Sequence, residues 1–116
     1  MVQGVDSEQR GSQLLRGVLD MCLLALIAEE PCYGYEMVRK LEERGLELVS
    51  EGSIYPLLSR LQRLRLIESF SVASSDGPPR KYYRVTPTGR RALEAWGEEW
   101  TAFTRGVDRV LKGGQP

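Results

Sequence analysis

Histidine is missing from all 116 residues, and cysteine occurs only twice, at Cys22 and Cys32. Without histidine the chain lacks the commonest general base and the commonest metal ligand. Two cysteines cannot build a disulfide framework. Cys22 lies inside an apolar run, as a buried thiol would, and Cys32 sits beside Pro31 in a connection. Nothing around either completes a ligand set, so neither a metal nor a cofactor is expected. No phosphate-cradling loop is present, and the chain is not expected to be an enzyme. Long hydrophobic runs are missing as well. The longest, Met21 to Ala28, is eight residues, against the roughly 20 that span a bilayer. Met1 to Gly11 holds no basic segment followed by an apolar core. Neither a signal peptide nor a membrane partner is therefore expected, and the chain reads as cytoplasmic.

An excess of one charge sign is also missing, since 16 basic residues balance 16 acidic ones. The balance hides an uneven distribution. Residues 1–52 carry 5 basic and 10 acidic groups, net −5; residues 53–91 carry 8 and 2, net +6; residues 92–116 carry 3 and 4, net −1. Local charge, rather than the total, decides where a phosphate backbone docks. The stretch from Ser53 to Arg91 is therefore where an anionic partner would bind. With 41% apolar and 28% charged residues, the composition is that of a single globular domain.

Residues 1–11, with Gly4, Ser7 and Gly11, read as a flexible arm, and residues 113–116 as a flexible tail. A first helix is predicted from Ser12, a good N-cap, to Glu29. Leu14, Leu15, Val18, Leu19, Cys22, Leu23, Leu26 and Ile27 keep helical spacing, and Met21, Leu24 and Ala25 widen the stripe. A helix apolar over most of its circumference is covered on more than one side, which in so short a chain implies a partner subunit. Glu30-Pro31-Cys32 breaks the pattern. A second helix is predicted from Tyr33 to Arg44, closed by Gly45. Leu46 to Gly52 follows as a connection, in which Leu46 and Leu48 give only a weak extended signal. The third helix is predicted from Ser53 to Arg65. Pro56 falls in its first turn, where the missing N–H costs little. Ile54, Leu57, Leu58, Leu61 and Leu64 form its apolar face, and Ser53, Tyr55, Ser59, Arg60 and Arg63 lie off it. Alternation over Glu68–Ala73, turn residues over Ser74–Pro79 and β-prone residues over Lys81–Thr86 predict a hairpin. A last helix opens at Thr86-Pro87. Its apolar positions Leu93, Trp96, Trp100, Phe103, Val107 and Val110 recur at intervals of 3, 4, 3, 4 and 3. That is a heptad seam suited to pairing with another helix; packing on the body of the same domain is the alternative.

The resulting fold class is mainly α with a small β-hairpin. It fits a winged helix-turn-helix DNA-binding domain over residues 12–86 and a C-terminal dimerisation helix over 87–112. In a helix-turn-helix the second helix enters the major groove, and its N-terminal residues meet base edges. Ser53, Tyr55 and Pro56 stand at that end, with Arg60 and Arg63 further along the exposed side. Arg80, Lys81 and Tyr82 lie on the hairpin, where a wing would touch the phosphate backbone. Arg84, Arg90 and Arg91 extend the basic stretch. Each residue has a plainer reading: solvated arginines, a half-buried tyrosine, an ordinary turn. The convergence of a basic helix with a basic hairpin favours double-stranded DNA as partner. A winged-helix module that binds an acidic protein, without DNA, is the alternative.

Leu14 to Arg91 resembles the PadR family of transcriptional regulators. The resemblance is carried by Leu15-Arg16-Gly17, by Tyr33-Gly34-Tyr35-Glu36 and by Ser50-Glu51-Gly52-Ser53-Ile54-Tyr55-Pro56-Leu57-Leu58. It continues in Gly77-Pro78-Pro79-Arg80-Lys81-Tyr82-Tyr83 and Thr86-Pro87-Thr88-Gly89-Arg90-Arg91-Ala92-Leu93. It implies a winged-helix homodimer that represses transcription from palindromic operators, of the short type with one C-terminal helix. The first and last helices would form the dimer interface, with Leu15 and Leu19 on one and Leu93, Trp96, Trp100, Phe103 and Val107 on the other. Some family members release DNA on binding a small aromatic or multidrug-like ligand at that interface. Trp96 and Trp100 would occupy such a place, and core packing is the alternative for both. One position departs from the pattern. Family sequences often have glycine near the end of the third helix, where this chain has Arg65, so the angle between helix and wing is left open.

Overall fold

The structure is a computed structural model that describes residues 3–47 and 50–113. Leu48 and residues 114–116 of the expected tail lie outside the described residues. The helices are α1 (Gln3–Arg16), α2 (Leu19–Glu29), α3 (Gly34–Glu43), α4 (Tyr55–Arg63) and α5 (Pro87–Leu111). The strands are β1 (Cys32–Tyr33), β2 (Ile67–Ser74) and β3 (Gly77–Val85), and a 3-10 turn over Glu51–Ser53 leads into α4.

The apolar run becomes α2, around which α3, α4, α5 and β3 pack. Leu23, Leu24, Leu26 and Ile27 are buried in a cluster with Met37, Leu41, Ile54, Leu58, Leu61, Ile67 and Tyr83. Each fully buried leucine or isoleucine contributes about 1.5–3 kcal/mol. The wide apolar stripe predicted for this segment is thus covered largely by the chain's own elements. The single helix expected over 12–29 is divided. The bond from Gly17 N–H to the Leu14 carbonyl (3.3 Å) and that from Val18 N–H to the Leu15 carbonyl (2.9 Å) tighten the chain, and α2 resumes at a bend of 61°. Val18, at φ −128° and ψ 0°, is not helical. Glycine and a β-branched residue in succession are poor helix formers, so the break falls there. The segment read as an arm is helical from Gln3, and Ser12 lies inside α1 rather than capping it.

Three strands form instead of two. β1 pairs with β3 (Cys32↔Tyr83, Tyr33↔Tyr82) and β3 pairs with β2, giving the order β1-β3-β2, antiparallel throughout. The turn is shorter than expected, and Pro78 and Pro79 belong to β3. The register slips between Val72↔Arg80 and Ser74↔Gly77, so the two prolines stand opposite Ala73 in a bulge. Proline lacks a ladder donor and is tolerated there.

Helices α3 and α4 end alike. After α3, Gly45 takes φ +93°, its N–H bonds the Glu42 carbonyl (3.0 Å), and Leu46 N–H bonds the Leu41 carbonyl (2.8 Å). After α4, Arg65 takes φ +63°, its N–H bonds the Gln62 carbonyl (3.0 Å), and Leu66 N–H bonds the Leu61 carbonyl (3.0 Å). Both are Schellman closures, and the buried pair Leu61 and Leu66 supplies the apolar contact that accompanies the second. Arginine therefore ends α4 as glycine would, at a cost of about 1 kcal/mol for the left-handed backbone. This corner is fastened to the start of α5. Thr86 N–H bonds the Leu66 carbonyl (3.0 Å), and the Thr86 hydroxyl donates to the Arg65 carbonyl (2.7 Å). The same hydroxyl oxygen accepts from Gly89 N–H (2.9 Å) as the N-cap of α5. A side chain at Gly89 would run into the Leu66 carbonyl.

Two substitutions at this corner should have opposite signs. Arg65→Gly is expected to raise the unfolding free energy by about 1 kcal/mol. Gly89→Ala is expected to lower it by about 2 kcal/mol or more. Urea midpoints check both, and equal midpoints for Arg65→Gly and the parent chain would contradict the strain assigned to Arg65.

Candidate nucleic-acid interface

Tyr55 opens α4, and Pro56 follows in the first turn. Ser53 does not cap the helix; it lies in the 3-10 turn and its hydroxyl donates to the Ser50 carbonyl (2.7 Å). The Tyr55 phenol reaches over Gly34, where a side chain would collide with it. Its hydroxyl donates to Glu51 Oε2 (2.5 Å). That hydrogen bond, with burial and the Glu51 charge adding to it, pushes the Tyr55 pKa up to about 12. The phenol is therefore protonated throughout the neutral range, with its proton committed to Glu51.

Tyr33, Gly34, Tyr55, Ser59, Arg80, Lys81 and Tyr83 line a cleft of about 350 Å3 between the start of α4 and the wing. The structure thus brings together Tyr55, Arg80 and Lys81 of the predicted contacts. Helical geometry puts Arg63 one turn beyond Ser59, and Arg60 and Arg63 are both exposed. Pro56 is exposed on the same helix.

Charge pairing divides the chain. In the acidic half, Lys40 pairs with Glu30 (2.9 Å), Arg44 with Glu29 (2.8 Å) and Arg39 with Glu43 (4.0 Å). In the basic half, Arg84 pairs with Glu68 (2.8 Å). Among the described residues, Arg60, Arg63, Arg80 and Lys81 form no ion pair. Arg80 instead lies over the Tyr33 ring (4.9 Å) and Lys81 over Tyr83 (5.7 Å).

Tyr82 stands apart from the cleft. On alternate positions of β3, Tyr83 faces the core and Tyr82 the opposite side. There Tyr82 is half-buried between Tyr33 (5.1 Å between centroids) and Phe70 (5.8 Å). In this position its ring ties the three strands together. Leu15 and Leu19, implied as interface residues, are 5% and 6% exposed within one protomer and leave little surface for a partner. Leu14, at 66%, is the exposed leucine of α1. Leu93 and Trp96 pack against the core, whereas Trp100, Phe103 and Val107 are exposed. Trp100 and Phe103 stack on each other (6.4 Å). Arg90 and Arg91 are exposed on the first turns of α5. Burial raises the Cys22 thiol pKa, helped by Asp20, and pushes Cys32 up to about 11. No cluster of three or more metal-binding side chains occurs among the described residues.

The spacing of α4 already puts Ser59 on the exposed side, whereas Glu51, Tyr33, Gly34 and Tyr83 are not singled out as members of this surface by the sequence. Glu51 stands four residues before Tyr55, one helical turn away, and that spacing was the available signal. Tyr33 and Gly34 join through the pairing of β1 with β3, which no local pattern announces.

The arrangement matches known proteins. The model of the transcriptional regulator PadR-like family matches residues 23–95. A relative from Lysinibacillus sphaericus is 34% identical over 104 residues, covering 88% of this chain and 95% of the relative. A PadR-like transcriptional regulator from Bacillus cereus superposes with a TM-score of 0.75 at 47% identity, over 85% of this chain and 96% of that one. A PadR family transcriptional regulator from Eggerthella lenta superposes with a TM-score of 0.85 at 32% identity, over 96% of each chain. With its winged-helix architecture and these matches, the chain belongs to the PadR-like family of transcriptional regulators.

Proposed function

We propose that the protein is a sequence-specific DNA-binding repressor that acts as a homodimer on a palindromic operator. The observation that carries the reading is the cleft shared by Tyr55 and Ser59 of α4 with Arg80 and Lys81 of the wing, which form no ion pair among the described residues. In the reading, Ser53, Tyr55 and Pro56 approach base edges, and Arg60 and Arg63 position α4 in the major groove. Arg80 and Lys81 hold the backbone. Tyr82, on the same face of β3 as Arg80 and packed against Tyr33, stiffens the wing beside the backbone contact.

The exposed face of α5 supports the dimer. Trp100, Phe103, Val107, Val110 and Leu111 are 39–80% exposed on the C-terminal half of α5. A contiguous apolar seam of that kind marks a protein contact. A second copy pairing along it supplies the symmetry that a palindrome requires. Trp96 and Trp100 would border the paired helices, where a small aromatic effector would loosen DNA binding.

If each subunit neutralises about three phosphates, log K for an operator duplex should fall with log salt at a slope near −5. Replacing Arg60 and Arg63 together by alanine should flatten the slope by about 2–4. Fluorescence anisotropy over 50–200 mM salt measures both. Affinity indifferent to salt would sink the reading in favour of a protein partner. Sedimentation should show a dimer at micromolar concentration, and Phe103→Glu should shift it to monomer by burying a charge in the seam. A wild-type monomer at every concentration contradicts the seam assignment. Tryptophan emission should be quenched by some member of a panel of flat aromatic compounds, with loss of DNA affinity in parallel; an unresponsive emission leaves Trp96 and Trp100 as packing residues.

A further inference from the structure

The DNA-binding reading leaves open what α4 recognises, and the hydrogen-bond pattern around Tyr55 limits the answer. Tyrosine has one hydroxyl proton, and here it goes to Glu51 Oε2 at 2.5 Å. Short O–H···O bonds to a carboxylate are among the strong ones. Turning the phenol to donate elsewhere would break that bond and leave the carboxylate bare. What remains free is the phenol oxygen's lone-pair capacity and the other acceptor positions of Glu51. Beside Tyr55 at the start of α4, neither Ser53 nor Pro56 adds a donor; the donors facing the cleft are those of Ser59, Arg80 and Lys81. The Ser53 hydroxyl is engaged by the Ser50 carbonyl, and Pro56 has no N–H. Glu51 itself forms no ion pair among the described residues, so its charge is not cancelled by Arg80 or Lys81 across the cleft.

We propose that Glu51 and Tyr55 form an acceptor-only pair that reads an exocyclic amino group in the major groove, N6 of adenine or N4 of cytosine. This rests on the DNA-binding reading above. The major-groove edges of guanine and thymine present only acceptors at the equivalent positions, and a phosphate is excluded by like charge. Phosphates fall instead to Arg80, Lys81, Arg60 and Arg63. Gly34 takes part by leaving room for the phenol, which is thereby held between the start of α3 and Glu51. Glu51 is a specificity-determining residue that fixes the direction of the Tyr55 hydrogen bond as well as offering an acceptor of its own.

The test uses the full chain and a duplex it enriches from a random-sequence pool. Each adenine of the enriched site is replaced in turn by purine, which lacks the N6 amino group, and each cytosine by 2-pyrimidinone, which lacks the N4 amino group. At one base pair per half-site, removing the amino group should weaken binding about 10-fold. Tyr55→Phe should bind the unmodified duplex about as weakly as wild type binds the modified one, with little further loss on modification. Glu51→Gln adds an amide donor and should relax the preference toward guanine or thymine at that position. Circular dichroism confirms that both variants fold, and an unchanged salt slope confirms that their phosphate contacts persist. Wild-type binding that ignores every amino group overturns the proposal and leaves the DNA-binding reading standing. So does Tyr55→Phe that remains as sensitive to amino removal as wild type. Failure to enrich any duplex overturns both.

Discussion

The carbonyls of Arg65 and Leu66 lie just past the end of α4, where backbone acceptors have no partner within the helix. Thr86 satisfies both, one through its hydroxyl and one through its N–H, and the same hydroxyl oxygen caps α5. Four elements therefore meet at one hydrogen-bonded point: the end of α4, the start of β2, the end of β3 and the start of α5. Ile67 pairs with Val85 beside it, which closes the ring of contacts. These bonds, together with the burial of Leu58 and Leu61 in the core, set the direction in which α4 presents its exposed face relative to α5. A close approach of Gly89 to the Leu66 carbonyl leaves no slack for a larger residue. Whatever fixes α5 in space fixes α4 as well.

The zero net charge arises from two halves that treat their charges differently. In the acidic half, cations on α3 reach back to the carboxylates at the end of α2, and the ion pairs are intramolecular. Exposed pairs of this kind add little stability, about 0–1 kcal/mol each. Their effect is instead to remove mobile positive charge from that side. In the basic half, among the described residues, the cations of α4 and the wing rest on aromatic rings or form no ion pair. Such cations keep their field for an external anion, whereas Arg84, locked to Glu68 and laid over Phe70, contributes rigidity to the sheet.

Much of this was legible from local pattern. The apolar spacing of α3 and α4, the Thr86-Pro87 start of α5 and the alternation of β2 each depend on residues within a few positions of one another. The features that escaped depend on distant partners. Cys32 and Tyr33 become a strand only because β3 passes beside them, fifty residues later in the chain. The break at Gly17–Val18 follows from weak local propensity, whereas the helical spacing of Leu14, Leu15, Val18, Leu19 and Cys22 across it points to continuity. Arg65 gave a warning of a different kind. Its sequence position asked for glycine, and the backbone does take glycine's conformation. The physics of the helix end was readable while the residue that would tolerate it was not. Glu51 belongs by charge count to the acidic stretch 1–52, and only the folded chain shows it to be the partner that orients Tyr55.

The corner and the seam together bear on how a small contact could discriminate among sequences. On the proposed reading, two copies joined along α5 hold two α4 helices at one separation, because Thr86 ties each α4 to its own α5. One amino-group contact is worth about 10-fold, too little to mark a site in a genome. Held rigidly in two copies, the same contact acts twice, and independent contacts of this kind combine to about 100-fold. A loose joint between α4 and α5 would forfeit that product, since each half could then engage DNA without the other in register. The hydrogen bonds of Thr86 thus have a consequence beyond stability. On that reading they convert a modest base preference at Tyr55 into a requirement on two half-sites at a set spacing.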